Sequence, residues 1–131
     1  MKTTLVANAF YHFIRNLGEL RFAIIQVTTR CNAACTDRCN IWASKPIDLS
    51  LDDIKFAVDV LAKNGFSFIY FTGGETGLYA CLAEALAYTK KKGLVTSITT
   101  NGTINPEVLA EISKNLDVGK ICCIYSNRVM L

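Results

Sequence analysis

Four short runs of apolar and β-branched residues, each separated from the next by a stretch with helical spacing, restrict the fold more than any other feature of this chain. Phe22 to Thr29, Phe66 to Phe71, Leu94 to Thr99 and Lys120 to Tyr125 read as strands. The first intervening stretch opens on Ser50 with Asp53 three residues on, a capping-box arrangement. Ile54, Ala57, Val58, Leu61 and Ala62 fall on one face, and Asn64-Gly65 supplies a stop. The second stretch carries Leu78, Cys81, Leu82, Ala85 and Leu86 at helical spacing. Lys90-Lys91-Lys92 close it against the negative end of the helix dipole, with Gly93 beyond. The third begins at Asn105-Pro106 and turns Val108, Leu109, Ile112 and Leu116 inward.

The unit recurs about every 25–30 residues, the period of a strand–helix repeat and not of a solenoid. A βαβαβαβ order with helical crossovers implies parallel strands and an α/β architecture. The nearly continuous apolar character of Phe66 to Phe71 suggests a strand covered on both faces.

A chain of 131 residues, 51% of them hydrophobic, is large enough for one domain with a core. Its net charge of +3 is mild and forms no basic stripe, so nucleic acid is not an expected partner. No apolar run approaches the roughly 20 residues that span a bilayer. Residues 1–20 lack a continuous apolar signal-peptide core, so a cytoplasmic location is the expectation. There Leu5, Val6, Ala9, Phe10, Phe13, Ile14 and Leu17 space as an amphipathic helix, expected to pack on the domain formed by 21–131. His12, the lone histidine, is assigned to the surface or to packing.

In a parallel α/β fold, sites collect beyond the carboxyl ends of the strands. The first strand runs into Cys31, Cys35 and Cys39, half of the six cysteines within nine residues. The second runs into Gly73, Gly74 and Glu75, and the third into Thr100, Asn101 and Gly102. All three ends would face one rim.

Thiolates bind soft metals, and three of them suit a four-iron cluster that leaves one iron open to an outside ligand. A structural zinc would want a fourth cysteine or histidine nearby. The competing reading places three small residues on one helical face. It fits poorly with Asn32, Thr36, Asp37, Arg38 and Asn40 around the cysteines. Two glycines allow a turn and close approach, and Glu75 offers a carboxylate to a cation such as an ammonium. Taken alone, Gly-Gly-Glu and Asn-Gly are also ordinary turns. Cys81, Cys122 and Cys123 are assigned to the core.

Together these residues resemble the radical SAM superfamily. The likeness runs through Thr28-Thr29-Arg30-Cys31-Asn32, Cys39-Asn40-Ile41-Trp42, Thr72-Gly73-Gly74-Glu75 and Thr100-Asn101-Gly102. It covers roughly residues 22–125, in order and at spacings that suit the strand–helix layout. The resemblance implies a partial (β/α) TIM-type barrel with about four of the six expected units, preceded by the N-terminal helix. It implies that Cys31, Cys35 and Cys39 hold a [4Fe-4S] cluster. Gly73, Gly74 and Glu75 would hold the ammonium of S-adenosylmethionine, with Thr100, Asn101 and Gly102 as further cofactor contacts. It also implies reductive cleavage of that cofactor to a 5′-deoxyadenosyl radical, and a one-electron donor such as a flavodoxin or ferredoxin.

The sequence departs from the family pattern in its motifs and in its length. The cysteines follow C-x3-C-x3-C in place of C-x3-C-x2-C, one residue being inserted among Thr36, Asp37 and Arg38. Arg38 stands where an aromatic residue commonly precedes the last cysteine, and Thr76 where proline commonly follows Gly-Gly-Glu. The pattern contains four strands and an apolar last edge, Ile121 to Tyr125, so a truncated core is the expectation. A non-catalytic iron–sulfur or metal-binding fragment is the alternative function.

Overall fold

In the computed structural model, residues 7, 10, 11, 14, 20–33, 35 and 46–122 are described. The strands are β1 (Phe22–Thr28), β2 (Phe68–Gly73), β3 (Val95–Thr100) and β4 (Val118–Ile121). The helices are α1 (Leu51–Lys63), α2 (Leu82–Lys91) and α3 (Pro106–Ile112), with a 3-10 turn at Thr76–Leu78 ahead of α2. The strands form one parallel four-stranded sheet in the order β1-β2-β3-β4. Sequential order with no reversal is the arrangement of a (β/α) barrel wall, whereas a doubly wound sheet reverses at a switch point.

Local chemistry explains the helix ends. Ser50 Oγ accepts from the Asp53 amide at 3.1 Å, and its hydroxyl donates to Asp53 Oδ2 at 2.6 Å. This satisfies one of the orphan amides of the first turn of α1. Asn64 caps its other end, followed by Gly65 at φ 75°. Gly93 ends α2 at φ 78°, and Lys90 pairs with Asp117 ahead of β4. Asn105 caps α3 through the Glu107 amide at 2.8 Å, with Pro106 as its first residue.

The core lies between the sheet and the helices. Ile25 and Val27 of β1, Ile69 and Phe71 of β2 and Ile98 of β3 meet Ile54 and Val58 of α1, Leu82, Ala85 and Leu86 of α2 and Ile112 of α3. On the opposite face, Phe22, Ile24, Phe68, Tyr70, Ser97, Val118 and Lys120 line an open space of about 680 Å³. β2 therefore alternates between buried and half-buried residues and is not covered on both faces. β3, buried at five of its six positions, fits that expectation better.

Other expectations need correction. β2 and β3 each end later than their apolar runs suggested, so Gly73 and Thr100 belong to the ladders. Leu78 lies in the 3-10 turn and Leu109 on the outer side of α3, both exposed. Cys81 is the residue before α2, half-buried against the core. Cys122 is exposed and not a core residue, and Cys123 lies outside the described residues. Ala7, Phe10, Tyr11 and Ile14 have helical backbone. Phe10 and Ile14 are more than half exposed, and the other residues of the expected apolar face lie outside the described residues.

Candidate functional site at the carboxyl rim of the sheet

Parallel strands deliver their carboxyl ends to one edge, and hydrogen bonds there join the ends of β1, β2 and β3. Gly73 lies beside Thr28 across an irregular register, where β1 skips one residue between Gln26 and Thr28. A Cβ at Gly73 would sit 2.4 Å from the Thr28 carbonyl oxygen, so only glycine permits this approach. The left-handed glycines among the described residues are Gly65, Gly93 and Gly102, so Gly73 is there for proximity, not for a turn. Beyond it, Gly74 N donates to Thr28 O at 3.0 Å and Glu75 N to Arg30 O at 2.7 Å. The turn after β2 is thus tied to Thr28 and Arg30, two of the three residues that precede Cys31.

Glu75 is 1% exposed. Its Oε1 accepts from Thr100 Oγ1 at 2.8 Å and from Gly77 N at 2.9 Å, and its Oε2 accepts from Asn101 N at 2.7 Å. No cation pairs with it among the described residues. A buried carboxylate without a counter-ion depends on such donors. Here they come from both sides of the rim, so Glu75 braces the end of β2 against the end of β3. Thr76 adds a bond from Oγ1 to Thr99 O at 2.6 Å.

Asn101 also reaches the cysteine segment. Its Nδ2 donates to Asn32 Oδ1 at 2.9 Å, and Asn32 Nδ2 donates to Thr103 Oγ1 at 2.9 Å. The Thr103 hydroxyl donates to Asn101 Oδ1 at 2.6 Å, which closes the ring. Gly102, at φ 87°, turns the chain under this ring, with its amide on Thr100 Oγ1 at 3.0 Å.

Cys31 and Cys35 are half-buried cysteines beyond β1, and the Ala33 amide donates to Cys31 Sγ at 3.5 Å. Thiol donors of this exposure, beside polar rim residues, are suited to a soft metal. Cys39 lies outside the described residues, and among those described no three metal-ligating side chains come together. Below the rim, Tyr79 is buried and its hydroxyl donates to Leu49 O at 2.9 Å. Burial pushes its phenol up to about 12, with the nearby Cys81 thiol adding to the shift.

The structure thus brings together Cys31, Cys35, Gly73, Gly74, Glu75, Thr100, Asn101 and Gly102. The same frame includes Asn32, Thr103, Arg30 and Asp48, which carried no assigned role in the sequence. Asn32 and Thr103 are 71 residues apart, and spacing gives no sign that they touch. The Thr-Thr-Arg run before Cys31 was visible, but its partner Asp48 lies across a loop.

Comparison with known proteins bears on the family and the fold. The Radical SAM superfamily profile matches residues 25–119. The Fe-coproporphyrin III synthase of Methanosarcina barkeri is 34% identical over 99 residues, 72% of this chain and 24% of that protein. The AdoMet-dependent heme synthase of Nitratidesulfovibrio vulgaris is 36% identical over 86 residues, 63% of this chain and 23% of that protein. The antilisterial bacteriocin subtilosin biosynthesis protein AlbA of Bacillus subtilis is 31% identical over 110 residues, 79% and 24% of the two chains. The chain spans about a quarter of the length of these relatives. The fold matches the crystal structure of Streptococcus suis SuiB bound to precursor peptide SuiA, with TM-score 0.61 at 19% identity, over 86% of this chain and 27% of that one. With the profile covering most of the chain and the strand ends joined at one rim, this protein belongs to the radical SAM superfamily.

Proposed function

We propose that the rim binds a [4Fe-4S] cluster through Cys31, Cys35 and Cys39 and S-adenosylmethionine through Gly73, Gly74, Glu75, Thr100, Asn101 and Gly102. The observation that carries this reading is the bond from Asn101 to Asn32, 69 residues apart, which sets the end of β3 beside the cysteine segment. When bound, the cluster supplies one electron that cleaves S-adenosylmethionine to methionine and a 5′-deoxyadenosyl radical, which takes hydrogen from a substrate. The chain's own part is placement and charge. Glu75 need not touch an ammonium to favour it, because a buried negative charge acts at longer range than an exposed one. Its Oε2, with one hydrogen bond from within the chain, keeps accepting capacity.

The relatives are named for Fe-coproporphyrin III synthesis, for heme synthesis and for bacteriocin biosynthesis, yet each is matched by this chain over about a quarter of its length. The shared segment therefore carries the common step, cofactor activation, and not the choice of substrate. The electron would come from a donor such as a flavodoxin or ferredoxin.

Anaerobic reconstitution with iron and sulfide tests the proposal. The expected result is a brown protein that forms 5′-deoxyadenosine from S-adenosylmethionine and dithionite, with formation lost on Cys31→Ala, Cys35→Ala or Cys39→Ala. Unchanged turnover in the triple variant would sink it. Iron uptake without cofactor cleavage would assign the chain to the alternative, a non-catalytic metal-binding module.

A further inference from the structure

We infer that Asp48 is a positioning residue that holds the neck of the cysteine loop; the iron-loading part of this inference rests on the cluster assignment above. The chain leaves β1 at Thr28 and comes back beside it at Ile47, Asp48 and Leu49. An isolated antiparallel bridge joins Thr28 to Asp48. Thr29 N donates to Ile47 O at 2.8 Å, Ile47 N donates to Thr29 Oγ1 at 2.8 Å, and Leu49 N donates to Val27 O at 2.9 Å. In the sequence, Cys31, Cys35 and Cys39 fall between the two sides of this neck.

Asp48 closes the neck with both carboxylate oxygens. Oδ1 accepts from Thr28 Oγ1 at 2.6 Å, and Oδ2 pairs with Arg30 Nη2 at 2.8 Å. The same Thr28 hydroxyl oxygen accepts from Arg30 N at 3.0 Å, so its donor and acceptor capacities are both used. From the far side, the amides of Gly74 and Glu75 hold the carbonyls of Thr28 and Arg30. The residues before Cys31 are therefore gripped from two directions, by Asp48 and by the glycine turn. A ligand segment gains from such support, because loss of a partner that orients a ligating residue typically lowers metal affinity about 10–100-fold. With both oxygens engaged inside the chain, Asp48 acts through Thr28 and Arg30 and not as a ligand itself. The Arg30 side chain is 53% exposed, so its ion pair is screened and the Thr28 bond carries more of the hold.

The test uses the full chain and two variants. Asp48→Ala removes both bonds. Asp48→Asn keeps an acceptor for the Thr28 hydroxyl and removes the charge. In the metal-free protein, amide exchange at Thr29 and Leu49 and alkylation of Cys31 should quicken in Asp48→Ala by roughly fivefold or more, the factor that loss of one ordinary hydrogen bond allows. Asp48→Asn should give about twofold, as expected for a screened ion pair. Exchange of core amides at Val58 and Leu86 should not change, which separates a local neck from general destabilisation. Iron retained after reconstitution should fall in the same order of variants. Unchanged exchange and alkylation in both variants would overturn the inference. So would faster exchange with iron loading equal to that of the unaltered protein. If the unaltered chain takes up no iron, the cluster assignment fails, while exchange and alkylation still decide the role of Asp48. Should Asp48→Ala not fold, the smaller Asp48→Asn effect decides it.

Discussion

Gly73 shows how one missing side chain shapes the site. Its contact with the Thr28 carbonyl leaves no room for a methyl group, and the obstructing atom is backbone that cannot rotate away. Gly73→Ala should therefore cost about 1–3 kcal/mol, the usual range for overpacking. Urea unfolding would measure this, and a variant as stable as the parent would mean that β1 and β2 separate freely here. Glu75 carries a parallel lesson. The sequence presents it as a carboxylate available to a ligand, whereas the fold engages it with three donors from the chain. Its two roles are compatible, because the bonds that fix the rim also hold a negative charge beneath it.

At the scale of elements, the 3-10 turn after β2 is anchored by Tyr79, whose hydroxyl reaches Leu49 at the foot of the cysteine-loop neck. The phenol's value is raised to about 12 in the fold by burial, against about 10 in an unfolded chain. A group whose folded value is raised contributes stability that is fully present below its unfolded value and is lost as pH climbs through the folded one. Stability should thus fall as pH rises between about 10 and 12. Urea midpoints across that range would show the slope. Tyr79→Phe should flatten it while losing about 1 kcal/mol at neutral pH with the bond to Leu49. A slope identical in the two proteins would assign the alkaline transition to other groups.

At the scale of the whole molecule, the described residues cover the sheet with helices on one face and leave the other open. Phe22 is 68% and Ile24 62% exposed on that open face, and Ile121 is 69% exposed on the edge strand β4. Apolar surface gathered in this way binds apolar probes. The folded chain should therefore enhance the fluorescence of an anilinonaphthalene sulfonate dye. Phe22→Lys with Ile24→Lys should largely abolish that signal and shift stability by only about 0.5 kcal/mol, since neither residue is in the core. Undiminished dye binding would place the apolar surface elsewhere. Among the described residues, no helix is long and apolar enough to cross a membrane.

The strand–helix order, the cap at Ser50, the stops at Gly65 and Gly93 and the inward face of α1 were legible in the sequence. Each depends on residues within one or two turns of each other, where periodicity and capping chemistry act. Cys31, Gly73, Glu75 and Asn101 were legible as candidates because parallel strands must end on one edge. Their partners were not. Asp48 meets Thr28, Asn32 meets Thr103, and Glu75 meets Thr100 only because tertiary packing joins segments whose separation carries no periodic signal. The ladder ends were likewise misjudged by two residues at β2, since apolar content marks burial and the hydrogen-bond register with β1 decides where a strand stops. The sequence by itself determined the architecture and the rim on which the chemistry would gather. Only the tertiary structure decided which side chains hold that rim together, because a hydrogen bond requires donor and acceptor within about 3 Å and local sequence sets no such distance between remote residues.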